Sequence, residues 1–217
     1  MSEYTLNPGV YVNVTPAGAY RAVVGSQNDA ARALLGRLLA LPATPMLDQA
    51  ALADLAGGGS EDDLVELLYR LQELGWLAGS QTRREIPEFN MERDIPHLLG
   101  ELSGSGKALL ADAQGFYLAN SGFAHESVEE LAALAASAAT LLARHAALLN
   151  NNLRLATGGW AAVDAAGNSQ IGFWPLNVGS QKFVLVIAGP PAFERQAFAD
   201  LVWWLSRRYA ALDFVSF

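Results

Sequence analysis

The chain has 217 residues, 52% hydrophobic and 17% charged, and its 22 acidic against 14 basic side chains give a net charge of −8. That is ample apolar material for one large domain or two small ones, and it excludes a disordered chain. The negative balance opposes nucleic acid and anionic membrane surfaces, and the absence of cysteine excludes disulfides, thiolate metal sites and a cysteine nucleophile.

The opening residues, Met-Ser-Glu-Tyr-Thr-Leu-Asn-Pro, have no basic flank and no apolar segment of the kind a signal peptide needs. No apolar run approaches the roughly 20 residues of a membrane span, so the expectation is a soluble, cytoplasmic protein. Residues 8–24 read as a β-hairpin. Val10, Val12 and Val14 alternate with Tyr11 and Asn13, and Pro16-Ala17-Gly18 supplies the turn. From Asn28 the period becomes helical, with Ala31, Leu34, Leu35, Leu38 and Leu39 on one face and Pro42 and Pro45 ending the run. A second helix is expected over about 48–55, broken by Gly57-Gly58-Gly59. Ser60 then caps a third, with Asp63 three residues on and an apolar stripe of Leu64, Leu67, Leu68, Leu71 and Leu74.

Three short helices followed by Trp76-Leu77-Ala78 and a polar hairpin resemble a winged helix. The preceding strands are similar to those of small peptide-recognition domains. Between Gly57 and Ser80, however, Glu61, Asp62, Asp63, Glu66 and Glu73 stand against the single Arg70, so the third helix would be repelled by phosphates. Protein contact is the better reading of this module than DNA binding. Clustering of Glu61, Asp62 and Asp63 in the first turn suits the helix dipole and needs no metal. Residues 81–94 read as wing and linker, with Arg83 and Arg84 as the cations that could touch phosphate in a transcriptional regulator.

After a short helix over 95–102 comes Ser-Gly-Ser-Gly-Lys, Ser103 to Lys107, which superficially suggests a phosphate loop. The motif fails on three counts: Ala108 stands where the metal-binding hydroxyl belongs, Glu101 where the first glycine belongs, and a helix precedes where a strand should. The glycines stop one helix and start one strand. Strands are expected over 107–112 and 116–120 around a tight turn at Gly115, then a long helix over about 127–149 stopped by Asn150-Asn151-Asn152. Strands over 153–163, 169–176 and 183–188 follow, then a last helix over 193–212.

The run Lys107-Ala108-Leu109-Leu110-Ala111-Asp112 through Gly115, continued by Tyr117-Leu118-Ala119-Asn120-Ser121-Gly122, resembles the Roadblock/dynein light chain family over about residues 95–212. The fold class expected is therefore α+β. A winged-helix-like domain spans 1–85 and a linker 86–94. Residues 95–217 form a Roadblock-like α/β sandwich with a five-stranded antiparallel sheet flanked by helices. The resemblance implies a homodimer through the long helix and the following strand, and bacterial members of this kind bind Ras-like small GTPases or act as platforms.

The long helix supports assembly on its own evidence. Its polar positions, among them Glu126, Glu130, Ser137 and Arg144, follow one narrow stripe, and most of the remainder is Leu and Ala, more apolar surface than one sheet face can cover. Candidate dimer-interface residues are Leu131, Leu134, Ala135, Ala138, Leu141, Leu142 and Leu155. Glu130, Ser137, Arg144 and Trp203 are candidate partner contacts, Trp203 equally a candidate contact with the other half of the chain. Trp203 falls on the arc of Gln196, Asp200 and Arg207, opposite an inner face of Phe198, Leu201, Val202, Leu205 and Tyr209. The alternative is that the N-terminal half covers the long helix within one chain.

His97, His125 and His145 lie in separate elements without metal-ligand spacing, Ser121 lacks a nucleophile elbow, and Gly104-x-Gly106 is not a dinucleotide fingerprint. No catalytic residue, cofactor site or metal site is expected. The reading favoured is a regulatory or scaffold protein, a dimeric regulator of a Ras-like small GTPase. A transcriptional regulator or a peptide-binding adaptor with the same dimerisation domain are the alternatives.

Overall fold

The structure, a computed structural model, describes residues 7, 9–24, 29–56, 60–86, 90–155 and 158–210. The glycine break at 57–59 and the last residues assigned to the final helix, 211 and 212, lie outside these.

The N-terminal hairpin does not form as expected. Strand β1 (Tyr11–Val14) runs straight into helix α1 (Pro16–Val23). The residues that read as a turn are a helix start: Thr15 Oγ1 accepts the Gly18 N–H at 3.1 Å, and Pro16 takes the first helical position, where its missing N–H costs nothing. Gly18 is there for contact, because a Cβ at that site would overlap the Trp76 carbonyl. Helices α2 (Ala30–Ala40), α3 (Gln49–Ala56) and α4 (Glu61–Glu73) follow, with Asp29 and Ser60 as N-caps of α2 and α4. Leu64, Leu68 and Leu71 are buried as their spacing requires, but Leu74, also assigned to that stripe, is 58% exposed at the α4 C-cap.

Strand β2 (Leu77–Ser80) pairs antiparallel with β1, Tyr11 opposite Ser80 and Val14 opposite Leu77. The polar hairpin expected after Trp76 is therefore absent: the partner of β2 comes from the chain start. Residues 42–46 instead tie both sides together, with Val12 N–H on Pro45 O and the N–H groups of Thr44 and Ile86 on Arg84 O and Pro42 O.

Helix α5 (Asp94–Glu101) ends at the Ser103–Gly106 turn, whose polar groups serve the fold. Ser103 Oγ donates to Ala188 O at 2.8 Å, and Ser121 Oγ to Gly106 O at 3.0 Å. Strands β3 (Ala108–Asp112) and β4 (Tyr117–Ser121) form a hairpin, and α6 (His125–Arg144) follows, extended by a wide π-helical turn over Ala147–Asn152. Strand β5 is only Trp160–Val163. The expected strand over 153–163 is shorter because the chain is still leaving the helix, with Arg154 at φ 52°. Strands β6 (Ser169–Val178) and β7 (Gln181–Ala188) and helix α7 (Gln196–Tyr209) complete the chain.

The sheet is antiparallel throughout, in the order β4-β3-β7-β6-β5. Strand alternation gives it two buried faces. Leu109, Ala111, Val184 and Val186 face α6, while Ala108, Leu110, Leu185 and Ile187 face α5 and α7. Pro175 in β6 lies beyond the point where β5 stops pairing, at Trp160 opposite Phe173, so its missing N–H removes no bond to β5. Among the described residues, no helix is long and apolar enough to cross a membrane.

The two halves share one core. Leu34, Leu35 and Leu38 of α2 and Ala19 and Val23 of α1 belong to the same buried cluster as Phe198, Leu201 and Leu205 of α7. Around Phe193 an aromatic group joins them: Tyr20 at 5.4 Å between ring centres, Trp174 at 5.3 Å edge-on and Phe198 at 4.8 Å. Trp203 is the second junction. It is 6% exposed, and its Nε1–H donates to Leu41 O at 2.8 Å, while Arg84 lies over its ring and pairs with Asp200 at 2.9 Å. The arc expected to face water faces the N-terminal half, so of the two readings of Trp203 the contact with the other half holds and the partner contact does not.

The β5–β6 turn is held by one carboxylate. Asp164 Oδ1 accepts the N–H groups of Ala166 and Asn168, each at 2.9 Å, Oδ2 accepts from the side-chain amides of Asn168 and Gln170, and Gly167 takes φ 86°. These bonds, from the Asn168 backbone first, favour the ionised form and hold the Asp164 carboxyl below its ordinary value.

Two outcomes follow from this architecture. Unfolding in urea, followed by tryptophan fluorescence and by far-UV circular dichroism, should show one coincident transition; Trp203→Ala should lower its midpoint by the equivalent of about 3–5 kcal/mol. Two separated transitions would mean independent halves. The Asn168 amide, followed by NMR against pH, should titrate below the ~3.9 of a free aspartate. Because the folded-state value is the lower one, the stability contribution is complete above the unfolded-state value and is lost as pH falls through the folded one. An inflection at or above ~3.9 would show that the turn does not engage the carboxylate as described.

Candidate protein-interaction surface

Helix α6 is built from residues of high helix propensity, with Glu126 in its first turn and Arg144 in its last, both matched to the helix dipole. Ser137 and Thr140 donate their hydroxyls back to Ala133 O and Ala136 O, at 3.1 and 2.9 Å, so both hydroxyls are bonded within the helix. At 100° per residue the helix shows three surfaces. Val128, Ala132 and Ala135 are buried against the sheet. Glu130, Ser137 and Arg144 form an exposed polar stripe. Between these two lies a second apolar arc of Leu131, Leu134, Ala138 and Leu141.

The arc is open. Leu134 is 51% exposed and Leu141 42%, and the run continues past the helix end in Leu148, Leu153 and Leu155 at 46–55%. Leu131 and Ala138 are half-buried at the edge of the α6–sheet core. Two expected interface residues lie elsewhere. Ala135 is fully buried against the sheet because its position points inward, and Leu142 is half-buried beneath the helix. Leu155 is exposed, but in the segment before β5 and not in the strand. The N-terminal half does not account for this arc, since it packs on α7 and β6.

Strand β5 adds a feature that residue periodicity did not single out. All four of its residues are exposed, Trp160 at 40% and Val163 at 58%, and among the described residues it pairs only with β6. Its outer edge thus presents a row of backbone donors and acceptors without the Lys or Pro that guards a free edge. The sequence signal was present in Trp-Ala-Ala-Val, apolar on both faces, which a strand open to water on both sides does not need. Phe116, 72% exposed at the β3–β4 tip, was also missed; at Gly115 beside it a Cβ would crowd Ala133 of α6 at 3.2 Å.

The other candidate chemistry has been absorbed by the fold. His97, His125 and His145 are exposed and separate, and among the described residues no three His, Asp or Glu side chains gather as a metal site. The cations that could have met phosphate are engaged within the chain: Arg84 with Asp200 and Trp203, Arg83 with Glu85 at 3.7 Å, and Arg70 with Glu66 along α4. Glu61, Asp62, Asp63 and Glu73 leave the exposed face of α4 acidic.

No protein-family model matches the chain, and neither does any curated protein. Part of the chain is similar to solved structures of the Roadblock kind. Myxococcus xanthus MglB is 18% identical, with 60% of this chain and 100% of that one covered and a TM-score of 0.32. The Roadblock/LC7 domain from Streptomyces avermitilis is 15% identical, covering 51% and 85% at a TM-score of 0.30. The gliding protein MglB from Thermus thermophilus is 20% identical, covering 53% and 84% at a TM-score of 0.35.

Proposed function

We propose that this chain is a non-enzymatic, cytoplasmic regulatory or scaffold protein that acts as a homodimer and holds a Ras-like small GTPase. The observation that carries the reading is the open apolar arc of α6, Leu134 and Leu141 above all, beside the unprotected edge of β5. A patch of this kind, rimmed by polar residues, marks a protein interface. A two-fold axis between α6 and β5 satisfies both features at once. It sets each arc against its own copy, and antiparallel pairing of the β5 edges joins two five-stranded sheets into one. The GTPase enters from the resemblance of residues 95–212 to the Roadblock family, whose members hold such enzymes without supplying catalytic groups. In this arrangement Glu130, Ser137 and Arg144 stay on the outside of the paired helices, available to the partner.

The acidic exposed face of α4 and the engagement of Arg83 and Arg84 within the chain favour a protein partner over DNA for the N-terminal half.

Light scattering on the intact chain should give twice 23.1 kDa. Leu134→Glu with Leu141→Glu should halve that mass and leave the circular dichroism unchanged, because both side chains are already exposed; a monomeric wild type sinks the dimer. The dimer should then retain a Ras-like GTPase of its own organism more strongly in one nucleotide state than in the other. Retention of none, in either state, removes the GTPase from the proposal.

A further inference from the structure

Helix α6 leaves the sheet halfway along. Its first half seats Val128, Ala132 and Ala135 on Leu109, Ala111, Val184 and Val186. The same inward face continues as Ala139, Leu142, Ala143 and Ala146, yet these are half-buried or exposed. Opposite them the sheet face goes on as Pro175 and Asn177 of β6 and Lys182 and Val184 of β7. Ala139 still packs on the sheet cluster, and beyond it helix and sheet diverge. The groove between them has a volume of about 560 Å³, within the range of small-molecule sites.

The lining is mostly apolar, and its charges are of one sign. Arg144 and Lys182 line the groove and no carboxylate does, in a chain whose net charge is −8. Among the described residues neither cation has an ion-pair partner, whereas Arg21, Arg70, Arg83, Arg84 and Arg93 each do. Arg144 also offsets the helix dipole in the last turn of α6, a role that Lys182 on β7 does not have. Asp112, which lines the adjoining cavity, has its Oδ1 occupied by the N–H groups of Gln114 and Phe116. An apolar channel marked by two unpaired cations complements a molecule with an apolar tail and an anionic head.

We propose that this groove binds a single-chain fatty carboxylate, the chain lying between Ala139 and Ala143 on one side and Pro175 and Val184 on the other, the carboxylate on Arg144 and Lys182. The site uses the sheet-facing side of α6 together with Arg144 of the polar stripe, and none of Leu131, Leu134, Ala138 and Leu141 of the arc assigned to dimerisation lines it, so its test does not rest on the dimer.

Calorimetric titration of the intact chain with dodecanoate, below its aggregation concentration, tests this directly. Dodecyltrimethylammonium serves as the cationic control of the same chain length. Saturable binding of dodecanoate at one site per chain is expected, with no saturable binding of the ammonium amphiphile. Arg144→Glu with Lys182→Glu should lower dodecanoate affinity on the order of tenfold or more. Ala143→Leu, which projects into the gap, should lower it too, with the mass by light scattering unchanged in both variants. Equal binding of the two amphiphiles would reduce the groove to a non-specific apolar surface and overturn the assignment. Absence of saturable dodecanoate binding would also overturn it, and in a chain of dimeric mass would hand the groove to the second copy.

Discussion

Everything in this molecule hangs on α7 being covered on both sides. From Ala197 to Ser206 only Asp200 escapes full burial, a pattern that one sheet face cannot produce. A helix that is apolar all round belongs inside a protein, and the second cover here is the N-terminal half. Asp200, the exception, is met by Arg84 at 2.9 Å and Gln196 at 3.0 Å, so even the polar break in the helix is used to attach that half. The chain start and the β1–β2 pair therefore belong to one core with the five-stranded sheet, joined at Trp203 and at the aromatic group around Phe193.

This double cover decides what is left exposed. Had the N-terminal half packed on α6, the arc of Leu134 and Leu141 would have been satisfied within one chain. Because it packs on α7, that arc and the β5 edge remain without a cover among the described residues. The two ends of the five-stranded sheet also differ. At the β4 edge, α5 packs alongside and Ser121 is bonded to Gly106. At the β5 edge, four exposed residues stand alone. Exposed apolar area and exposed strand edge at the same end of the sheet are what the proposed two-fold pairing with a second copy would cover.

Much of the architecture was readable from local pattern, and the failures share a cause. Helices α2, α4 and α6, the β3–β4 hairpin and β7 follow from period and from caps such as Ser60, because their signals are local. Residues 16–24 were misread since Pro-Ala-Gly serves equally as a turn and as a helix start; Thr15 Oγ1 on the Gly18 N–H decides between them, and the close approach of Trp76 explains the glycine. For Trp203 the helical period leaves open whether the other half or a partner meets the indole, and the bond to Leu41 O decides for the other half. Ala135, a candidate interface residue by sequence, is turned inside by its angle on the helix. The β5 edge and the groove were not readable at all, since each arises from where elements end relative to one another.

The groove makes the same point about α6. Where the helix meets the sheet, Val128, Ala132 and Ala135 fill the space with nothing left over. Where it departs, Ala139, Ala143 and Ala146 stand at inward positions that leucines would occupy in a closed core, and Pro175 and Lys182 lie on the floor beneath. Unfilled apolar volume costs stability in proportion to its size, so a chain selected only for stability would fill it or let the helix settle. Small residues aligned above an open floor, with two unpaired cations beside them, keep the space available instead. The inward face of the same helix thus seals the sheet core in its first half and roofs the groove in its second, while a separate apolar arc stays exposed. Ala/Leu composition allows this because neither residue imposes a direction, and position on the wheel alone assigns the task.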